Sequence, residues 1–329
     1  MIYISTTDVS VNMRLLTWML RAGLTMAVAG LTWMVWPSQT VDRSYAPLLE
    51  HPAFAAGARP RVVVDEGHLN AQTSSGGYRA FARLLQRDGF RVMSSEGRIT
   101  AAALRGADIF VTVNPLGYIG LAQHLANLAH LERAVRLNAD AFDADEALRV
   151  AEWVAAGGRA LIVADHAPAG LAARRLALSF GVEMTNWWAE DRSRSDITFT
   201  RSNGGVREHP ITIGRTSAER VNAVMTFTGQ ALKPPPGASV LLQFSASARE
   251  YPFRRSRDEE GRSVAGLAQA VALPYGRGRV VVLGEAAALT AQRIDAADAA
   301  SMLIGMNRRD VDNQQFALNI VHWLMGLIG

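Results

Sequence analysis

Leu161-Ile162-Val163-Ala164-Asp165-His166-Ala167-Pro168-Ala169-Gly170 is an apolar run that stops abruptly at two ionisable residues and a Pro/Gly turn. This is the pattern of a buried strand whose C-terminal end opens into a loop before a new helix. In open α/β sheets that end of a parallel strand faces the ligand crevice. The stretch therefore predicts both a parallel sheet and the place on it where polar chemistry belongs.

Two upstream stretches repeat the pattern. Arg61-Val62-Val63-Val64 runs into Asp65-Glu66-Gly67-His68, and Asp108-Ile109-Phe110-Val111-Thr112-Val113 ends at Asn114. Between them, Tyr78 to Asp88 places Tyr78, Phe81, Ala82, Leu84 and Leu85 at helical spacing with Gly89 as a stop, followed by a short strand at Arg91-Val92-Met93 and a brief helix at Ala101 to Leu104. Asp143-Ala144-Asp145-Glu146 caps a helix that runs to Gly157-Gly158, just before the opening strand. Strands alternating with helices in this way predict a doubly wound parallel sheet.

Beyond Val182 the pattern changes. Trp187-Trp188 and the charged run Glu190 to Arg194 read as a loop, while Ile197 to Thr200, Val224 to Thr228 and Val240 to Phe244 alternate like strands that extend or flank the sheet. Val271 to Pro274 and Val280 to Leu283 read as a hairpin joined through Gly276-Arg277-Gly278. Phe316 to Leu327 closes the chain as a helix with Phe316, Ile320, Trp323, Leu324 and Leu327 on one side.

The 329 residues, 49% hydrophobic and 19% charged, suffice for one large core. The formal charge of +4 rests on scattered arginines, with Lys233 the only lysine, so no nucleic-acid partner is expected. The absence of cysteine excludes disulfides, thiolate metal sites and a cysteine nucleophile together.

Residues 15–36 are apolar apart from Thr17, Arg21, Thr25 and Thr32, with Arg14 and Arg21 at the leading side. They read as a signal anchor or a signal peptide, which would put the N-terminus in the cytoplasm and the main domain outside it, on the inner membrane if uncleaved and periplasmic or secreted if cleaved. The expected organisation is residues 1–36 as that segment, 37–60 as a linker rich in Ala, Pro and Gly, and 61–329 as the folded domain.

Trp153-Val154-x-x-Gly157-Gly158-x-x-Leu161-Ile162-Val163-x-Asp165-His166 resembles the class I glutamine amidotransferase-like superfamily. Leu171 to Gly181 looks like its helix after the nucleophile elbow. His209-Pro210-Ile211 and Tyr275-Gly276-Arg277-Gly278-Arg279-Val280 look like elements of the trehalose-utilisation (ThuA-like) branch. The resemblance implies a flavodoxin-like three-layer αβα sandwich with a mostly parallel sheet, here preceded by the N-terminal hydrophobic helix. It does not imply glutaminase activity, because the elbow offers Asp165 and His166 where a cysteine is needed.

If the strands are parallel neighbours, their ends bring Asp65, Glu66, His68, Asn114, Asp165, His166 and Glu285 to one rim. Carboxylates beside imidazoles can do general acid/base work, with Asp165 and His166 as the catalytic candidates, or can bind the hydroxyls of a polyol through Asp65, Glu66, His68, Asn114 and Glu285. The same set could hold a divalent metal, with His68, His166 and Asp65 as candidate ligands and a metal-bound water as nucleophile. Against these stand capping roles for Asp165 and Glu285, a loop hydrogen bond for Asp65, and a partly exposed helix position for His124 and His130. Gly305-Met306-Asn307 and Asp312 to Gln315 read as turns, His209 as a turn residue, His322 as a boundary residue, and Trp187-Trp188 as either a sugar platform or an anchored loop. Three functions remain open: an envelope-anchored domain binding a small polar ligand such as a carbohydrate or cell-wall fragment, an inert interaction module docking another envelope protein, and a metal-dependent hydrolase.

Overall fold

The computed structural model describes residues 38–55, 60–117, 140–191, 197–252, 260–295 and 301–329. The chain divides into two compact units. The smaller, residues 1–40 and 293–302, is described through parts of β1 (Ser38–Val41), β16 (Ala291–Asp295) and β17 (Met302–Gly305). There Thr40 Oγ1 donates to the Arg293 carbonyl at 3.5 Å and Arg293 pairs with Asp295.

The larger unit, residues 41–292 and 303–329, is built on a nine-stranded sheet. Its parallel part runs β3 (Arg91–Ser95), β2 (Arg61–Asp65), β4 (Ile109–Val113), β5 (Arg159–Val163), β15 (Gly278–Leu283). The apolar residues of these strands sort alternately to two cores, as the two-residue period requires. Val62, Val64, Val111, Val113, Leu161, Val163, Val281 and Leu283 face one core with α1 (Arg79–Arg87) and α6 (Asn313–Met325). Phe110, Ala160, Ile162, Val280 and Val282 face the other with α3 (Ala144–Ala155) and α4 (Ala169–Leu178). A continuous apolar run such as Leu161 to Ala164 is stable only where both faces are covered, and this is why β5 lies mid-sheet.

The remaining strands of the sheet are antiparallel. β14 (Ala268–Tyr275) pairs with β15, and beyond it lie β10 (Leu232–Lys233), β6 (Glu183–Met184) and β11 (Ser239–Gln243). The β14–β15 hairpin turns at Gly276, whose φ of 58° and approach to the Ala155 carbonyl leave no room for a side chain. Two smaller antiparallel sheets join β13 (Arg262–Ser263), β12 (Ala248–Tyr251) and β7 (Trp188–Asp191), and β8 (Ile197–Thr200) with β9 (Ala223–Thr226).

The flavodoxin-like, mostly parallel three-layer sandwich is therefore not the architecture of the described residues, and the expected N-terminal hydrophobic helix falls on residues outside them. Four of nine strands in the principal sheet are antiparallel, and the smaller sheets add more, so the chain is a sheet-rich mixed fold with six α-helices among the described residues. Two of those, α2 (Ala101–Leu104) and α5 (Pro210–Ile213), have only four residues. The physical reason lies after Val182, where short alternating strands replace the βα repeat and close on neighbours through turns rather than crossover helices.

The membrane assignment is corrected as well. No helix among the described residues is long and apolar enough to cross a bilayer, so the transmembrane, signal-anchor and inner-membrane placement has no structural support. Residues 15–36 themselves lie outside the described residues, as do His124 and His130. Residues 42–55, read from sequence as part of a linker, lie within the larger unit: Tyr45 Oη donates to Gln314 Oε1 at 2.6 Å, the Asp88 carboxylate accepts from Ala53 N at 2.7 Å, and Phe54 meets Phe90 edge-on.

At the start of α6, buried Asn313 ties the helix to two neighbours. Its amide donates to the carbonyls of Met225 and Ala288 and accepts from Met225 N at 2.9 Å. Asn313→Ala leaves buried backbone groups unpaired and should lower unfolding stability by about 3 kcal/mol, read as a drop in the urea midpoint at unchanged slope.

Candidate functional site

The five parallel strands end in register, and this fixes the site. Val113 pairs with Val163 and Val163 with Leu283, so the one or two residues beyond β4, β5 and β15 leave the sheet side by side. Asn114, Asp165 and Glu285 are the polar residues delivered there. The Asn114 backbone enters the left-handed region (φ 45°), a conformation Asn tolerates better than most residues. Its amide then pairs reciprocally with Asp165, donating to Asp165 Oδ2 at 2.6 Å and accepting from Asp165 N at 2.8 Å.

Asp165 Oδ1 also accepts from Ala286 N at 2.7 Å, which bridges β5 to the β15 loop. Glu285 is 3% exposed and caps the turn that follows it, accepting from Ala287 N at 2.9 Å, Ala288 N at 2.8 Å and Phe227 N at 3.4 Å. Glu285 thus caps the turn after it as expected, but Asp165 does not cap the helix after it, which starts at Pro168 without a side-chain cap; its bonds go across to Asn114 and Ala286 instead, and its charge acts on Glu285. Burial, then the Asp165 charge, pushes the Glu285 carboxyl up to about 8. Burial raises Asp165 too, against the lowering effects of Asn114, the Ala286 N–H and the His166 charge. Tyr78 completes the group: its hydroxyl donates to the Ala286 carbonyl at 3.0 Å, and burial with both carboxylates holds the phenol well above its usual range.

Asp165 and His166 are the partly exposed members. His166 Nδ1 lies 2.9 Å from the Ala167 carbonyl, and the ring stacks on Trp188 with centroids 4.3 Å apart. Behind them, buried Gln230 donates to the carbonyls of Ala164 and Asp165 and accepts from Asn186 N, locking the turn from the sheet side. Trp187 has the Arg262 guanidinium 4.0 Å over its ring, so one face of each tryptophan is already covered by protein.

Asp65 and His68 form a separate group. Both are 0% exposed. Asp65 accepts from Gly67 N, His68 Nδ1, Asn70 and Thr112 Oγ1, at distances from 2.8 to 3.2 Å. His68 Nε2 meets Glu146 Oε1 at 3.3 Å, and the imidazole lies against Phe142. Burial alone would lower the His68 pKa, but the flanking carboxylates of Asp65 and Glu146 outweigh it and raise the pKa. The result is an imidazole held between two carboxylates that favour its charged form, an arrangement that orders the loop Gly67 to Asn70 over the ends of β2 and β4. Glu66 accepts from Ser74 N and Oγ and orders the next loop.

Sequence reasoning missed Glu146, because its role as third residue of the α3 capping box accounts for it fully. Its contact with a histidine 78 residues away leaves no local signal. It also missed Tyr78, read only as core, and Gln230. His209 caps α5 by accepting from Ile211 N at 3.2 Å, and burial followed by the Arg279 charge lowers its pKa to about 4, consistent with a neutral acceptor ring. His322, expected at a boundary, is buried with Nε2 2.7 Å from Asp88 Oδ2. Among the described residues no group of three or more His, Asp or Glu residues is placed to hold a metal ion.

No family model matches the chain, and no curated protein does. The mmIFT52 N-terminal domain superposes with a TM-score of 0.56 at 14% identity, covering 80% of this chain and 97% of that one. A cytoplasmic protein from Salmonella typhimurium gives 0.46 at 12% identity over 80% of this chain and 98% of that one. The β-galactosidase from Rahnella sp. R3 gives 0.42 at 13% identity, covering 82% of this chain and 32% of that one. At these identities the first is a likeness of fold alone, and the other two carry no argument.

The raised Glu285 has a stability consequence. An acid whose folded pKa exceeds its unfolded value binds its proton more tightly when folded, so stability is highest below the unfolded value of 4.5 and declines as pH rises towards about 8. Asp165→Asn removes the opposing charge. A carbon-detected NMR titration of Glu285 should place its midpoint near 8 in the wild type and clearly lower in the variant; an unmoved midpoint would show that Asp165 is not its electrostatic partner.

Proposed function

We propose that the rim formed by Asp165, His166 and Glu285 binds a small, neutral, hydroxyl-rich ligand, a carbohydrate being the simplest member of the class. The observation that carries this reading is the carboxyl pair at the joined ends of β5 and β15, with Glu285 raised to about 8. Near neutral pH one carboxyl of such a pair retains a proton, so it offers a donor beside an acceptor. A vicinal diol needs that combination. Asp165 Oδ1 and Oδ2 each accept one hydrogen bond from protein and keep a second lone pair for the ligand, whereas Glu285 Oε1 already accepts from both Ala287 N and Phe227 N.

Paired buried carboxyls are costly, and strongly shifted groups concentrate at functional sites. The same pair gives the rim an acid and a base, which supports hydrolysis of the bound ligand as an extension of binding. Kinship with the class I glutamine amidotransferase-like superfamily is a proposal of the same standing. Asp165 and His166 at the strand-to-helix turn and the capped His209-Pro210-Ile211 element support it. The second reading, an inert interaction module, is favoured by one observation: Asp65 and His68 are spent in an internal ion group.

The test is a thermal-shift and calorimetric screen of neutral mono- and disaccharides. A ligand that binds the native state raises the melting temperature. At least one sugar should do so for the wild type, and Asp165→Asn should weaken its binding by about tenfold or more. A panel that binds nowhere, or binding indifferent to Asp165→Asn, would favour the interaction module.

A further inference from the structure

The opposite end of the parallel sheet carries a different chemistry. β2, β3 and β5 each begin with arginine: Arg61, Arg91 and Arg159. β2 and β3 pair with Arg61 directly opposite Arg91, so the two side chains leave the sheet on the same face of neighbouring strands, about 5 Å apart at the backbone. Like charges directly opposite destabilise a sheet unless something of opposite sign joins them.

Neither guanidinium has a hydrogen-bond or ion-pair partner among the described residues. The nearby Asp108 carboxylate pairs with neither guanidinium; its Oδ2 accepts from the Arg61 backbone N–H at 2.7 Å. Arg159 adds a third positive charge along the same edge, with Nη1 3.4 Å from the Asp108 carbonyl. A cavity of about 890 Å³ opens here, lined by Arg61, Arg91, Gly106 and Asp108. Gly106 leaves room for the Arg61 head group there: its φ is 72°, and a Cβ at that position would lie 1.6 Å from an Arg61 guanidinium nitrogen. The Arg61 head group therefore rests on bare backbone beside the cavity.

We propose that this cavity is a binding site for a phosphate dianion, either free or as the phosphomonoester of a small molecule. Two guanidinium forks present more N–H donors than a single carboxylate can accept, whereas a tetrahedral oxyanion has oxygens for both. Its double charge also matches the three arginines less the Asp108 carboxylate, and it relieves the repulsion between Arg61 and Arg91. The site is independent of the carboxyl pair, which lies at the other end of the strands.

Calorimetry with inorganic phosphate and with glycerol phosphate, at ionic strength matched with chloride, tests this. Saturable one-to-one binding is expected for at least one of the two, and the tighter one identifies the source of the dianion. Arg61→Gln and Arg91→Gln should each weaken it about tenfold or more. Arg91 is exposed, so its variant will fold even if the Arg61 change perturbs the strand; Arg309→Gln, at an exposed position outside the cavity, should bind as the wild type does. The proposal is overturned if chloride produces the same effect as phosphate, or if binding survives in the Arg61→Gln/Arg91→Gln double variant.

Discussion

The in-register parallel pairing of β5 with β4 on one side and β15 on the other is the constraint from which the rest follows. Because Val163 is level with both Val113 and Leu283, the strand ends cannot carry Asn114, Asp165 and Glu285 anywhere but side by side. A slip of one residue would send every alternate side chain to the wrong core. The two cores that sandwich Leu161 and Ile162 therefore hold the carboxyl pair together as firmly as any hydrogen bond at the rim does.

Two ionic groups at the strand ends differ in kind. Around His68 two carboxylates flank the imidazole and favour its charged form, and Asp65 is surrounded by donors. Such a group, once made, is costly to break and orders the loops that it joins. Asp165 and Glu285 form the opposite case, two acids whose nearest favourable charge is His166. Backbone N–H groups of the turn Ala286 to Ala288 partly compensate them, but burial wins and keeps Glu285 protonated into the neutral range. One group has its charges in balance, and the other joins the strand ends while leaving its acids only partly compensated.

The opening strand, its polar end and the β14–β15 hairpin were legible in the sequence because each is written in local pattern: an apolar run, a Pro/Gly break, a Gly-Arg-Gly turn. Asp165 and Glu285 could be placed at one rim by the same logic. What could not be read was depth. Asp65 and His68 follow a strand as Asp165 and His166 do, and only the distant Glu146 and Thr112 decide that the first pair is sealed inside. The antiparallel half of the sheet escaped for a related reason: two-residue strands such as β6 and β10 have no periodicity to detect, and their pairing is set by neighbours far along the chain.

The central claim is that a proton held on the Asp165–Glu285 pair is part of ligand recognition. The most direct measurement is the pH dependence of affinity for whichever neutral saccharide binds the protein. The account predicts a level affinity on the acid side that falls as pH rises through about 8, following the ionisation of Glu285. An affinity that stays flat through that range would contradict it, because the ligand would then be indifferent to the proton that the paired carboxyls retain.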